Sequence, residues 1–412
     1  MKAGVFRSRC IGLVAALSIC SLIACGGSKP VEGSPVVVST QGGCAPAPTS
    51  SLVVSVRDMA YGAKGDGTTD DTAAIQRAVD AVAGTGGTVM VPDGTYMVNA
   101  IAQNGSMGII LGSNMTLSLS AGAVFQAIPN SSQNYAILVL YSVNHVNIMG
   151  GTLLGERSAH TGTDGEWGMG LSIENSNQVV VQGVTAKECW GDGFYITNLC
   201  TDVTLCSVVS DHNRRQGLSV TSVDGLVVRN STFKNTEGTP PETGIDVEPN
   251  NGNTVNNVLI TGCTLRNNAG GGFQCGTPFV GTAFGTNIVF DQNTVVGNGA
   301  NPSGVNYRQA INITVFDGVQ VTGNQVQNNI GQGICLTENA NHTLVKGNTV
   351  TGTLLVPGYE SWTGLGILLS TCSESIITQN SVTGNLGAGI LQVVADSTVT
   401  ISGNNVSGNG KP

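Results

Sequence analysis

The sequence is short of charge. Of 412 residues, 17 are Lys or Arg and 26 are Asp or Glu, a charged fraction of 10% and a net charge of −9. Ordinary domains carry about 25% charged residues. With so little basic surface and a pI near 4.8, no nucleic-acid partner is expected. There are 4 His, so the commonest metal ligand is scarce, and no CxxC pair or Cys/His cluster has zinc spacing. Aromatic residues make up 5%. Long apolar runs are missing too. The run from Ile11 to Ile23 is too short for a transmembrane helix and leads into a Gly/Ser/Pro-rich stretch.

Glycine is abundant, with 58 residues, and it recurs in a fixed phrase: glycine, apolar, any, apolar, any. The phrase appears as Gly193-Phe194-Tyr195-Ile196-Thr197, Gly217-Leu218-Ser219-Val220-Thr221 and Gly244-Ile245-Asp246-Val247-Glu248. It returns at Gly272, Gly333, Gly366 and Gly389. The common spacing is roughly 23 to 28 residues, a solenoid period. Period-2 alternation inside each phrase makes the units strands. The sequence therefore predicts an all-β, right-handed parallel β-helix with one coil per repeat. High Gly with low charge also marks disorder, but regular Val/Ile alternation argues against it. A second phrase places Asn293, Asn324, Asn348, Asn380 and Asn404 at one bend per coil. Coils about 4.8 Å apart let these amides bond one another, a structural ladder. Cys206, Ser231 and Cys263 are expected in the same slot earlier in the chain.

The N-terminus reads as targeting, with Lys2, Arg7 and Arg9 ahead of the apolar run. Leu22-Ile23-Ala24-Cys25 resembles a bacterial lipobox, which implies a signal peptide over 1–24 and lipid on Cys25. Residues 25–51 read as a flexible tether and 52–412 as the β-helix. The resulting expectation is a lipid anchor to the outer membrane, facing periplasm or exterior. An oxidising compartment permits disulfides. Cys189 and Cys200 flank one strand and are candidates to pair, while Cys206 and Cys263, two coils apart, are too distant.

After the tether comes Val56-Arg57-Asp58-Met59-Ala60-Tyr61-Gly62-Ala63-Lys64-Gly65-Asp66-Gly67-Thr68-Thr69-Asp70-Asp71, then Thr72-Ala73-Ala74-Ile75-Gln76 and Gly86-Gly87-Thr88-Val89-Met90-Val91-Pro92-Asp93-Gly94-Thr95-Tyr96. This resembles the opening of the pectate-lyase-like superfamily, which includes polygalacturonases, rhamnogalacturonases, alginate epimerases and phage tailspikes. Read physically, Thr69 or Asp70 is placed to N-cap a short helix. Ile75, Val79 and Val82 share one apolar face at i, i+4, i+7. That helix would plug the open end of the coil stack. The motif indicates fold and leaves the chemistry open.

Chemistry must come from outward positions. Inside the glycine phrase the apolar residues point inward, which leaves Glu174, Asp192, Tyr195, Arg214, Arg215, Glu242, Asp246, Glu248 and Arg308 outside or at the rim. In a chain this poor in charge, stacking makes them a cluster in the middle coils. Asp246 and Glu248 leave one strand on the same face, a spacing suited to acid and base in glycoside hydrolysis. With Asp192 they are also candidates to share a Ca²⁺; no other cofactor or metal is indicated. Either Trp167 or Trp190 is placed to stack on a sugar ring, and the insertion Asn235–Glu242 to wall the groove.

Asp192, just before the strand glycine, is similar in placement to the first catalytic aspartate of polygalacturonase-like hydrolases. The next coils depart from that pattern: Arg215-Gln216 stand where those enzymes show paired aspartates, and Thr243-Gly244 where they show His-Gly. The alginate epimerases, as the resemblance implies, carry Asp and His where Tyr195 and Thr197 stand. The expectation is a surface-tethered carbohydrate-active enzyme, a divergent glycoside hydrolase. Asp192, Asp246 and Glu248 are its catalytic candidates. Glu174, Trp190, Tyr195, Arg214, Arg215, Glu242 and Arg308 are its substrate-binding candidates. The substrate expected is a polysaccharide, uronate-containing ones among the candidates. Two alternatives stand beside it. One is a uronate lyase or C5-epimerase using Tyr195 with Arg214 and Arg215, and the other is a non-catalytic glycan-binding or structural β-helix.

Overall fold

The computed structural model describes residue 44 and residues 50–277, 284–300 and 308–411. The expected signal segment, Cys25 and most of the tether lie outside them. Three parallel sheets of 13, 13 and 11 strands run along the molecule. Each turn of chain visits the first, the second and then the third. Cys200–Cys206, Val209–Asp211 and Leu218–Val220 make one coil; Val223–Arg229, Thr232–Lys234 and Ile245–Val247 make the next. This is the right-handed parallel β-helix expected from the period.

Register follows from burial. A strand that must bury alternate residues against the coil interior cannot slip by one position without turning its apolar set outward. In the third sheet Phe194, Leu218, Ile245, Phe273 and Ile311 stack as one inward column. Phe273 also stacks face to face on Phe290 of the first sheet, centroids 4.3 Å apart. The outward column of the same sheet is Ser172, Tyr195, Ser219, Asp246, Gln274 and Asn312.

The helix Thr72–Val82 plugs the leading end, with Ile75, Val79 and Val82 fully buried. Its N-cap is Asp71, not Thr69 or Asp70. The Asp71 carboxylate accepts instead from Lys64 N and Gly65 N, while Asp70 accepts from Thr72 N at 3.0 Å. The capping motif thus spends its two aspartates on fixing the preceding turn and the first helical N–H.

The asparagine ladder forms as expected. Each Oδ1 accepts the backbone N–H of the asparagine one coil earlier, from Asn293 onto Asn324 through to Asn380 onto Asn404. Each Nδ2 also donates to a sheet carbonyl, Asn324 to Phe290 O at 2.9 Å for example. A second ladder stands five positions later in each coil, with Asn268, Asn298 and Asn329, then Asn385 and Asn409. The earlier slot needs a correction. Val208, not Cys206, occupies it, its N–H bonding Ser231 Oγ.

Cys206 lies two residues before the bend and faces outward, in register with Gln182 and Arg229. There it forms a disulfide with Cys44, Cα atoms 6.1 Å apart. Gln182 accepts from Cys44 N, and Arg229 Nε lies 3.0 Å from its sulfur. The expected Cys189–Cys200 pair does not form; both are free and buried. Cys200 points into the coil interior toward Ile173 O and Thr197 O, while Cys189 sits at the bend beside Lys187 O.

Candidate active site

The third sheet carries the candidate site because the buried carboxylates Asp192 and Asp246 stand on its outward side. Asp192 precedes the strand Phe194–Thr197, and Gln216 and Thr243 take the same position on the next two coils. Asp246 lies three positions along, in register with Tyr195 and Ser219 and in the middle of Ile245–Val247. Both carboxylates are covered, with Asp192 at 0% and Asp246 at 1% exposure.

They reach toward each other across the intervening coil. Asp192 Oδ2 accepts from Ser219 Oγ at 2.8 Å and from Arg215 Nη1 at 3.3 Å. Asp246 Oδ2 accepts from Gln216 Nε2, whose Oε1 takes the Thr243 N–H. The second oxygen of each aspartate is buried with no partner among the described residues. Arg215 also lies 3.3 Å from Glu166. Burial works against its charge, but Asp192, Asp246, Glu248 and Glu166 outweigh burial and hold it firmly protonated.

Burial pushes Asp192 up to about 6, with Arg215 and Ser219 drawing it back. Burial and then the neighbouring Glu248 push Asp246 well above the carboxylate range. Glu248, just past the strand end, is raised as well, chiefly by burial. Both carboxylates are raised, Asp192 only to about 6 and Asp246 well above its ordinary value, and a pair whose values are split in this way is what acid and base catalysis uses.

The other predicted residues divide. Tyr195 and Glu174 line an open groove of about 480 Å³ that runs toward the leading end of the sheet from the carboxylates. Trp167 lies there too, 41% exposed. Trp190 does not serve as a sugar platform. His160 stacks on one face at 3.9 Å, and the Arg214 guanidinium covers the other at 3.8 Å. Arg214 is committed to that contact and to Gly165 O at 2.9 Å. Glu242 is turned into its own loop, accepting from Gly238 N at 2.6 Å. That insertion lies against Arg214, with Thr239 N bonded to Arg214 O. Arg308 stands two coils beyond Asp246 at the edge of the sheet. Asp192, Asp246 and Glu248 do not converge as a Ca²⁺ cage, and no group of three metal-ligating side chains stands among the described residues.

A buried polar cluster under the groove escaped the sequence reading. Glu156 accepts from Tyr135 Oη and lies 2.9 Å from His160 Nδ1. Tyr135 lies in the strand Asn134–Tyr141, but Glu156 and His160 sit in a long irregular connection where no period marks them; their i, i+4 spacing was the available signal.

A family model described as rhamnogalacturonase A/epimerase, pectate lyase-like, matches residues 53–274, and one for a right-handed β-helix region matches 283–412. Among curated relatives, the exo-poly-α-D-galacturonosidase of Dickeya chrysanthemi is 26% identical over 81% of this chain and 52% of its own length. The mannuronan C5-epimerase AlgE4 of Azotobacter vinelandii is 31% identical over 42% of this chain and 32% of its own. The solved A-module of that epimerase superposes with a TM-score of 0.63 at 20% identity, covering 85% of this chain and 100% of the module. The chain spans about half the length, or less, of the curated relatives it matches.

Proposed function

The chain belongs to the rhamnogalacturonase A/epimerase, pectate lyase-like family, and from that premise we propose that it hydrolyses a polysaccharide laid along the third sheet. One observation carries this. Asp192 and Asp246 are buried on one outward face, each bonded to the coil between them and each with one oxygen unpartnered among the described residues, and burial raises Asp246 well above its ordinary value while Asp192 stops at about 6. Asp246, protonated, gives its proton to the glycosidic oxygen as the C–O bond breaks. Asp192, held ionised by Arg215 and Ser219, takes a proton from the water whose oxygen bonds the sugar carbon. Glu248 keeps Asp246 protonated by adding negative charge beside it. The relatives' names support a polysaccharide substrate.

Elimination or epimerisation at a uronate needs a cation free to neutralise the sugar carboxylate. Arg215 already faces Asp192 and Glu166, and Arg214 is spread over Trp190. Digestion of a glycan panel, followed by reducing ends and by ultraviolet absorbance of unsaturated uronates, tests the assignment. New reducing ends without absorbance are expected. Asp246→Asn should lose about a thousandfold in rate while its circular dichroism is unchanged. Absorbance, or an Asp246→Asn variant that still turns over, would overturn it. The Leu22–Cys25 sequence supports a lipid anchor as part of the same proposal. Cys25→Ser should then move the protein from the membrane to the soluble fraction.

A further inference from the structure

The groove beside the carboxylates has a composition unlike its surroundings. Its lining contains no Lys or Arg. What it offers is the exposed ring of Trp167, the half-buried ring of Tyr195, the amides Asn134 and Asn198, Ser172, and one carboxylate, Glu174. Glu174 is already oriented, since Ser172 Oγ donates to one oxygen at 2.8 Å and Asn198 Nδ2 to the other at 3.2 Å.

Elsewhere on the face cations are few: Arg215 stands at its centre and Arg308 at its rim two coils beyond Asp246, and neither lines the groove. Beyond Tyr195 the outward column continues with Ser219, Asp246, Gln274 and Asn312. The cation at its centre, Arg215, lies among four carboxylates.

We propose that the groove is a subsite for neutral sugar residues, and that the substrate is a neutral glycan, not a polyuronate. The proposal rests on the hydrolase reading for the position of the cleaved bond. A polyuronate brings a negative charge with nearly every residue, and here each would meet an acidic or uncharged wall in a site partly shielded from water. A neutral pyranose meets what it can use. Its apolar C–H face packs on Trp167 and Tyr195. Its hydroxyl pairs donate to Glu174, a charge-assisted contact that is strong for an alcohol and repulsive for a carboxylate. The amides and Ser172 supply the remaining partners.

The test is binding, measured apart from turnover. The full chain carrying Asp246→Asn is titrated calorimetrically with neutral oligosaccharides (xylan, glucan, galactan and mannan fragments) and with oligogalacturonate and oligomannuronate. Each titration is done at low and at high salt. At least one neutral oligomer should bind, with an affinity changing less than twofold between the two salt conditions. Trp167→Ala should weaken it at least tenfold with the circular dichroism unchanged. Glu174→Gln should weaken it as well, and should not weaken uronate binding below that of the parent. Tighter binding of either uronate, weakened by salt, overturns the proposal, as does binding of none of the neutral fragments. Failure here leaves the hydrolase assignment standing if Asp246→Asn abolishes cleavage of whichever glycan the parent digests. Conversely, neutral binding without any cleavage would retain the groove and remove the hydrolase.

Discussion

Replacing Arg215 by Met would strip the cation from among four carboxylates, and the first to respond would be Asp192. Arg215 and Ser219 hold that group down to about 6 against burial, so its loss should raise the value further. On the proposed hydrolysis, kcat/KM of the wild-type protein should climb through about pH 6 as Asp192 ionises. It should fall at higher pH as the Asp246–Glu248 pair gives up its proton. Arg215→Met should move the ascending limb to higher pH. The same group fixes a stability trend. Its folded pKa lies above the value of about 3.9 expected in the unfolded chain, so the folded form binds the proton more tightly. Stability should therefore rise as pH falls from 7 through 6 and level off below about 4, by something of order 3 kcal/mol. Thermal melts of Asp192→Asn should show a shallower slope, the remainder coming from Asp246 and Glu248, which burial also raises; an unchanged slope would mean the group is not buried as described. Trp167 in the groove and Trp190 outside it separate cleanly as well. Ligand should perturb the fluorescence of Trp167, and Trp167→Phe should abolish the signal, whereas Trp190→Phe should retain it because both faces of that ring are covered.

At the scale of the element, the two asparagine ladders satisfy bend N–H groups that the sheets cannot reach. Asn324→Ala would orphan the N–H of Asn293 and the carbonyl of Phe290 together. At about 1–3 kcal/mol for each buried orphan, urea titration should show a loss of several kcal/mol. Asn404→Ala should cost less, since its half-buried site admits water. The first ladder was legible because Val and Ile flank each of its asparagines at fixed offsets. The second, five residues on, sits at the rim of a bend where loops of different length begin, and the changing surroundings hid it. The outward columns were legible for the same reason as the first ladder. Period-2 alternation fixes which side chains leave the coil, and stacking then makes Asp192 and Asp246 neighbours. Alternation says nothing about what covers an outward residue. That is why Trp190 looked free when His160 and Arg214, both from irregular connections, close over it.

Across the whole molecule, the Cys44–Cys206 bond joins residues 162 apart in sequence. In the chain-entropy view a loop of that size stabilises by about 5 kcal/mol. Reduction, or Cys206→Ser, should lower the melting temperature by several degrees. No periodic signal could have revealed the pairing. Cys206 sits on a repeat, but its partner comes from a stretch with no repeat at all, and a two-residue misplacement of Cys206 had turned it toward the bend.

That crosslink also decides how the solenoid would carry a mechanical load. Tension applied to the chain ahead of Cys44 enters the stack at Cys206, in its middle, and bypasses the first coils and the plug helix Thr72–Val82. Those coils, which are held together by lateral hydrogen bonds that peel one at a time, are left slack. With the bond reduced, the same pull would arrive at Val53 and unzip the stack from its capped end.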